Sequence, residues 1–395
     1  MTVHLNALGV LNPLGRGKRE VARNLFSGSR AGLVRRDGLI SDREVRVGAV
    51  RSDLPEVPPR LAHLECRNNR LALAALQEIE DAIKATIGRV GAHRVAVVMG
   101  TSTSGIAEGE IALAQRIARG AWPANFRYER QEIGNLGRFV AEYMELTGPA
   151  YTIATACSSS AKVFASAQRL IEAGLCDAAV VGGTDTLCRM TLNGFDSLGA
   201  LSKDYCNPFS RNRDGINIGE GAAVFLMTTE KSTISLLGVG ESSDAYHVSA
   251  PHPEGDGAKL AMLRALAAAN MKPEEIDYIN LHGTATELND PMEARAISRV
   301  FGDRTLCSST KSMTGHMLGA AGATEAAFLW LTLDAGFSSG LVPPHLWDGE
   351  ADPAIPRLNL APMEACIASG DRVAALSNSF AFGGSNAAVV LGRGW

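Results

Sequence analysis

Short apolar runs alternate along this chain with stretches whose apolar positions recur at helical spacing. Arg94–Met99 (RVAVVM) reads as a buried strand, followed by a Gly/Ser/Thr turn over Gly100–Gly105. Tyr151–Ala154 is a second short strand. Ser158–Ala173 then reads as a helix, with Val163, Phe164, Ala167, Leu170 and Ile171 at helical spacing and Gly174 as its stop. Ala178–Val181 is a third strand, ending at Gly182 and Gly183. Near-continuous apolar strands alternating with helices predict a parallel or mixed sheet covered on both faces.

The second half repeats this grammar. Ile276–Leu281 is a strand ending at His282, and a helix starts near Pro291, with Asp290 as N-cap and Glu293 completing a capping box. Leu306–Ser309 is a short strand before a glycine-rich turn, and Gly319–Leu333 reads as a helix. Val373–Leu376 and Ala387–Leu391 are strands flanking another glycine-rich turn. The expected organisation is two similar α/β halves, 1–232 and 233–395, sharing one core.

Composition adds exclusions. A chain of 395 residues, 46% hydrophobic and 20% charged, can bury a large core, and a net charge of −4 gives no reason to expect nucleic-acid binding. No apolar run approaches the roughly 20 residues that span a bilayer. The first residues, MTVHLNALGVLNPLGRGKRE, do not read as a signal peptide, so a cytoplasmic protein off the membrane is expected. The seven cysteines show no C-x-x-C pair and no histidine at zinc-ligand spacing, so neither disulfides nor a metal is expected.

Four segments carry chemistry. In TIATACSSS (152–160), Cys157 falls between a strand and a helix, where the helix dipole and free N–H groups favour a thiolate. His282 opens HGTATELND at a strand end. His316 lies in KSMTGHMLGAAGA, which begins at Lys311, before an Ala/Gly-rich helix. Phe382 lies in the turn NSFAFGGSN (378–386). Taken singly, each has an ordinary structural explanation: a buried thiol, a structural histidine, a close-packed helix, a surface loop.

Together, and in this order, these segments resemble the elongating β-ketoacyl-acyl-carrier-protein synthases of the thiolase superfamily. NPFSRNRDGINIGEGAAV (207–224) and SSDAYH (242–247) match the same family. The resemblance spans essentially the whole chain. It implies a thiolase-like duplicated five-layer α/β/α/β/α fold, as a homodimer or as a heterodimer with a related synthase-like subunit.

The resemblance also assigns roles. Cys157 would accept an acyl group from a phosphopantetheine thioester on acyl carrier protein, with no tightly bound cofactor. The backbone N–H groups of Cys157 and Phe382 would hold the oxyanion. His282 and His316 would stabilise the enolate left when a malonyl extender loses CO₂. Lys311 would anchor a hydrogen-bond network with Glu293. Thr103, Thr284, Thr286, Ala381 and Gly383 would line the substrate path. Arg67 and Arg70 would dock the acidic carrier, with Arg127 and Arg130 as weaker candidates.

Departures from the family pattern concern specificity. Ala381 replaces a glycine and Ser385 a threonine in the Phe382 loop, and alanine resists positive φ, which predicts a stiffer loop. Asn207 stands where a carrier-contacting arginine is usual. Thr103 in place of a larger apolar residue predicts a more polar acyl pocket, as in polyene or polyketide-like rather than housekeeping synthesis. Two alternatives are a non-catalytic chain-length-factor subunit, which typically lacks the nucleophile, and a non-decarboxylating thiolase, which needs a second cysteine near His316.

Overall fold

The computed structural model describes residues 2–367 and 370–395. Among the described residues the main sheet has twelve strands. The first part of the chain contributes β1 (Val3–Asn12), β2 (Val95–Gly100), β3 (Ala150–Ile153), β4 (Ala178–Asp185) and β5 (Gly221–Thr228). The second contributes β6 (Ile234–Ser243), β7 (Tyr278–Asn280), β8 (Leu306–Ser308), β9 (Asn359–Leu360), β10 (Val373–Ala381) and β11 (Ser385–Arg393). Their order is β9-β8-β7-β10-β11-β6-β1-β5-β4-β2-β3, with the two-residue strand Gly15–Arg16 beside β1.

The order exposes the duplication. From its outer end inward, β3-β2-β4 is parallel and β4-β5-β1 antiparallel. Likewise β8-β7-β10 is parallel and β10-β11-β6 antiparallel. The two five-stranded units, the second extended by β9 beside β8, meet where β1 pairs with β6 at Val3–Leu236 and His4–Ser235.

Helices complete the layers. α1 (Arg67–Gln77) and α3 (Asn135–Tyr143) cover the outer face of the first unit, and α2 (Ile106–Arg119) stands apart from the sheet with only Ala112 buried. α4 (Ser159–Glu172) packs under β2 and β4, and α5 (Asp256–Ala269) and α6 (Asn289–Phe301) cover the second unit. Between the units, α4 packs on α7 (Ala321–Leu333). The result is the expected five-layer α/β/α/β/α stack. Every residue of α7 is buried, which explains its lack of an amphipathic pattern. The layer closes because Gly322 has no side chain: a Cβ there would lie 2.6 Å from the backbone nitrogen of Ala161.

Sequence boundaries hold to within a few residues, and the largest shortfall is β10, which runs on through Ala381. One local expectation fails. α6 begins at Asn289, one residue before Asp290, and neither Asp290 nor Glu293 caps it. Asp290 instead accepts the N–H groups of Phe209 and Ala285, and Glu293 reaches back to the strand end carrying His282. Buried backbone donors there outcompete the helix's own end. No helix among the described residues is long and apolar enough to cross a membrane.

Candidate active site

Cys157 lies in the tight turn between β3 and α4. Ala156, just before it, is held at φ 50°, a left-handed conformation unusual for a residue with a side chain. The turn is pinned by side chains: Ser159 Oγ donates to the Ala156 carbonyl at 2.6 Å, and Ser158 Oγ to the Thr155 carbonyl at 2.9 Å. α4 starts two residues after the cysteine, so its N-terminus lies close to the sulfur. Burial nevertheless dominates and pushes the thiol up to about 12, against the downward pull of the Lys311 charge and the Phe382 N–H. The expected resident thiolate is therefore absent, because desolvation costs more than the helix end returns. The proton must leave during reaction.

An imidazole lies beside the thiol. His316 Nε2 lies 3.0 Å from Cys157 Sγ. The His282 ring stands edge-on to that of His316, with centroids 5.2 Å apart. The sulfur and the ring nitrogens of the trio lie within 4.8 Å of one another. Burial, and then the nearby Lys311 charge, hold both imidazoles well below their usual pKa. They are neutral at physiological pH, so each can donate or accept a hydrogen bond without carrying charge.

The partner expected for Lys311 is different in the fold. Its ammonium pairs with Glu325 on α7, and both side chains are only 2% exposed. Glu293 accepts the N–H groups of His282 and Gly283, each at 2.7 Å. The two carboxylates thus divide the work: Glu325 neutralises Lys311, and Glu293 fixes the backbone that carries His282. Burial raises both to about 7.

The Phe382 loop closes the site. Gly383 and Gly384 take φ values of 80° and 73°, which need glycine. Ala381 sits at φ −112° in extended backbone, so alanine there is unstrained and the expected stiffening does not arise. Gly383 donates its N–H to the Val248 carbonyl at 2.8 Å, tying this loop to the 244–255 segment. The Phe382 ring is 40% exposed and rests 5.5 Å from Phe195.

A cavity of about 250 Å³ opens onto the trio. Cys157, His282 and His316 line it together with Thr284, Thr286, Ala381 and Phe382. Glu287, Leu288, Leu198 and Phe195 also line it, and the sequence reading missed all four. Leu288 and Leu198 are more than half exposed, an unusual state for leucine that only the fold reveals.

Four assignments need correction. Gly383 is not among the residues that line this cavity; its N–H turns instead to the Val248 carbonyl. Thr103 does not line this cavity: it is fully buried, and its hydroxyl donates to Asp185. Arg67 is committed to Glu220 through Nε and Nη2, at 2.9 and 2.6 Å. Arg70 donates to the carbonyls of Pro55 and Leu54. Neither arginine stands free as a docking group, because internal acceptors claim them first.

Two family models match the chain: the β-ketoacyl synthase N-terminal domain over residues 2–232 and the β-ketoacyl synthase C-terminal domain over 234–346. A 3-oxoacyl-[acyl-carrier-protein] synthase 2 from Staphylococcus aureus is 33% identical over 337 residues, spanning 81% of this chain and 82% of its own. Among solved structures, a ketosynthase from Xenorhabdus doucetiae, in complex with its chain length factor, superposes with a TM-score of 0.94. It is 46% identical and covers 99% of this chain and 98% of its own. The ishigamide ketosynthase/chain length factor matches with a TM-score of 0.88 at 29% identity, over 99% of each chain. The chain belongs to the β-ketoacyl synthase family.

Proposed function

We propose that the chain is a 3-oxoacyl-[acyl-carrier-protein] synthase in which Cys157 is the nucleophile, His316 its proton partner and His282 the second enolate-stabilising group. The observation that carries this is the 3.0 Å contact between Cys157 Sγ and His316 Nε2 at the floor of a cavity that His282 also lines. In the first half-reaction the sulfur attacks the acyl carbonyl carbon, and the thiol proton passes to His316 Nε2. The carbon–sulfur bond to pantetheine breaks, and the proton leaves on the pantetheine sulfur. The backbone N–H groups of Phe382 and Cys157, both close enough to pull the thiol down, are available to the oxyanion.

In the second half-reaction the malonyl carbon–carboxylate bond breaks, CO₂ departs, and the electron pair becomes an enolate whose oxygen accepts from the two imidazoles. The enolate carbon attacks the acyl group on Cys157, and the sulfur leaves with the electron pair and takes a proton from water, which restores the thiol. Thr284 and Thr286, whose hydroxyls lie 3.0 Å apart on the cavity wall, offer hydrogen bonds to the amides of the pantetheine arm.

The reading includes acyl carrier protein as the source of both substrates. It also includes a second synthase-like subunit as partner, favoured by the 46% identical ketosynthase solved with its chain length factor. The same likeness favours a specialised, polyketide-like pathway. A division at 232/233 and a reducing cytoplasm, which suits seven unpaired cysteines, complete the proposal. The test is intact-mass measurement after incubation with an acyl-carrier thioester. The wild type gains one acyl group, which malonyl-carrier then clears with release of CO₂, and Cys157→Ala gains none. An equal adduct on Cys157→Ala overturns the assignment.

A further inference from the structure

We propose that Asp185 is a positioning residue for this reaction: its buried carboxylate ties the turn carrying Cys157 to the loop carrying His316 and so sets the sulfur–imidazole separation. The proposal rests on the reading of Cys157 and His316 given above.

Asp185 is the last residue of β4 and is fully buried. Its Oδ1 accepts the Thr101 hydroxyl at 2.7 Å, the Thr103 hydroxyl at 2.6 Å, and the N–H groups of Ser102 and Thr103 at 2.8 and 2.7 Å. Its Oδ2 accepts the N–H of Ala320 at 3.0 Å. All five donors are uncharged.

Each arm ends beside the reacting atoms. On one side Ser102, held by Asp185, donates its hydroxyl to the carbonyl of Ala156 at 3.2 Å, and Ala156 is the left-handed residue just before Cys157. On the other, Ala320 closes the short turn Leu318–Ala320, four residues after His316 and at the N-terminus of α7. The two arms pass at close quarters: a Cβ on Gly319 would lie 2.6 Å from Ser102 Oγ and 2.9 Å from Asp185 Oδ2. Thr186 N–H, donating to Thr103 Oγ1 at 3.0 Å, locks the hydroxyl so that its proton points at the carboxylate. Asparagine cannot replace this residue. With one oxygen exchanged for NH₂, a donor meets either the Ala320 N–H or the four donors on the other side.

The carboxylate also acts through its field. Burial raises the Asp185 carboxyl and the hydrogen bonds from Thr103, Thr101 and Ser102 pull it back; in its charged form it adds to the forces that hold Cys157 as a thiol, opposing Lys311. The sulfur therefore stays protonated until His316 takes the proton.

The experiment is single-turnover loading from octanoyl-carrier thioester, followed by intact mass, for full-length Asp185→Asn, Thr103→Val and Thr103→Ser. It is paired with thermal unfolding and with iodoacetamide alkylation of the Cys157 peptide across pH. Asp185→Asn is expected to load roughly 10- to 100-fold slower, the cost of a small misplacement of reacting groups, with the carrier KM unchanged. Its alkylation profile should move to lower pH, because an anion beside the thiol is gone. Thr103→Val should show a smaller loss in the same direction, and Thr103→Ser, which keeps the hydroxyl, should load like the wild type. A folded Asp185→Asn that loads at the wild-type rate overturns the proposal. So does a loss that tracks thermal stability with an unmoved alkylation profile. If Asp185→Asn does not fold, the threonine pair decides: equal loading by Thr103→Val and Thr103→Ser overturns it. An adduct on Cys157→Ala would instead overturn the nucleophile reading, and this proposal with it.

Discussion

Replacing Lys311 with methionine separates two jobs of one buried cation. The ammonium and the Glu325 carboxylate are each 2% exposed, so neither charge is screened by solvent. Even with that partner, burial raises Glu325 to about 7 from an ordinary value of 4.5. At about 1.4 kcal/mol per tenfold change in proton affinity, that leaves Glu325 about 3 kcal/mol of uncompensated desolvation. Removing the ammonium adds to it, and breaking a buried pair costs about 3–5 kcal/mol where the remaining group stays charged.

The pH dependence has a definite sign. A carboxyl whose folded pKa lies above its unfolded value favours the fold below the unfolded pKa, and that contribution is lost as pH rises through the folded pKa. In Lys311→Met the folded value of Glu325 climbs further, so the deficit against wild type widens from acid toward alkaline pH. Thermal unfolding should show a loss of several degrees at pH 8, about half of it recovered at pH 6. Lys311→Met/Glu325→Gln should regain most of the stability, since a neutral pair replaces a stranded charge. The thiol should not recover with it. The Lys311 charge is the largest influence pulling Cys157 down, so iodoacetamide alkylation at Cys157 should stay shifted to higher pH in both variants. If the double variant regains thiol reactivity together with stability, the electrostatic role assigned to Lys311 is wrong.

Three further outcomes follow from the site. Ala381→Gly relieves no strain at φ −112°, so it should cost about 0.5–1 kcal/mol of stability and leave kcat no higher; a faster enzyme would show that alanine restrains the loop. Arg67→Ala strands Glu220, which is 2% exposed, and should cost about 2 kcal/mol in denaturant titrations. It should leave the salt dependence of the carrier KM unchanged, and a flattened salt dependence would restore Arg67 as a docking group. Zinc should inhibit loading competitively with acyl-carrier and reversibly with EDTA, because the Cys157 sulfur, which zinc would deprotonate, and two imidazoles within 4.8 Å supply three of the four tetrahedral ligands zinc prefers. Zinc binding that is undiminished in Cys157→Ala would place the metal elsewhere.

What the sequence disclosed and what it hid follow from one physical distinction. Three of the site residues stand where strands end, Cys157 after β3, His282 after β7 and Phe382 after β10, and His316 stands before α7. Apolar runs with glycine-rich stops mark such ends in one dimension, so the positions of Cys157 and His282 are legible in the sequence, as is the duplicated sheet. The residues that hold them were not, because a buried polar group is defined by the partner it meets across the fold. Lys311 meets Glu325 fourteen residues on, where a helical pattern offered no reason to prefer it to Glu293. Glu325 left a trace nonetheless: it is the sole charged residue in the stretch LGAAGATEAAFLWLTL, and a lone charge in a buried helix requires a counter-charge. Asp185 left a similar one, an acid ending the apolar strand AAVVGGTD. The arginines failed for the converse reason. Arg67 and Arg70 look exposed in a helical pattern, yet Glu220 and the Leu54 and Pro55 carbonyls reach them from distant segments. Strand ends thus disclose the chemistry, while unpaired charges inside apolar segments disclose the scaffold that aims it. In this chain the second signal leads from Asp185 to the spacing of Cys157 and His316.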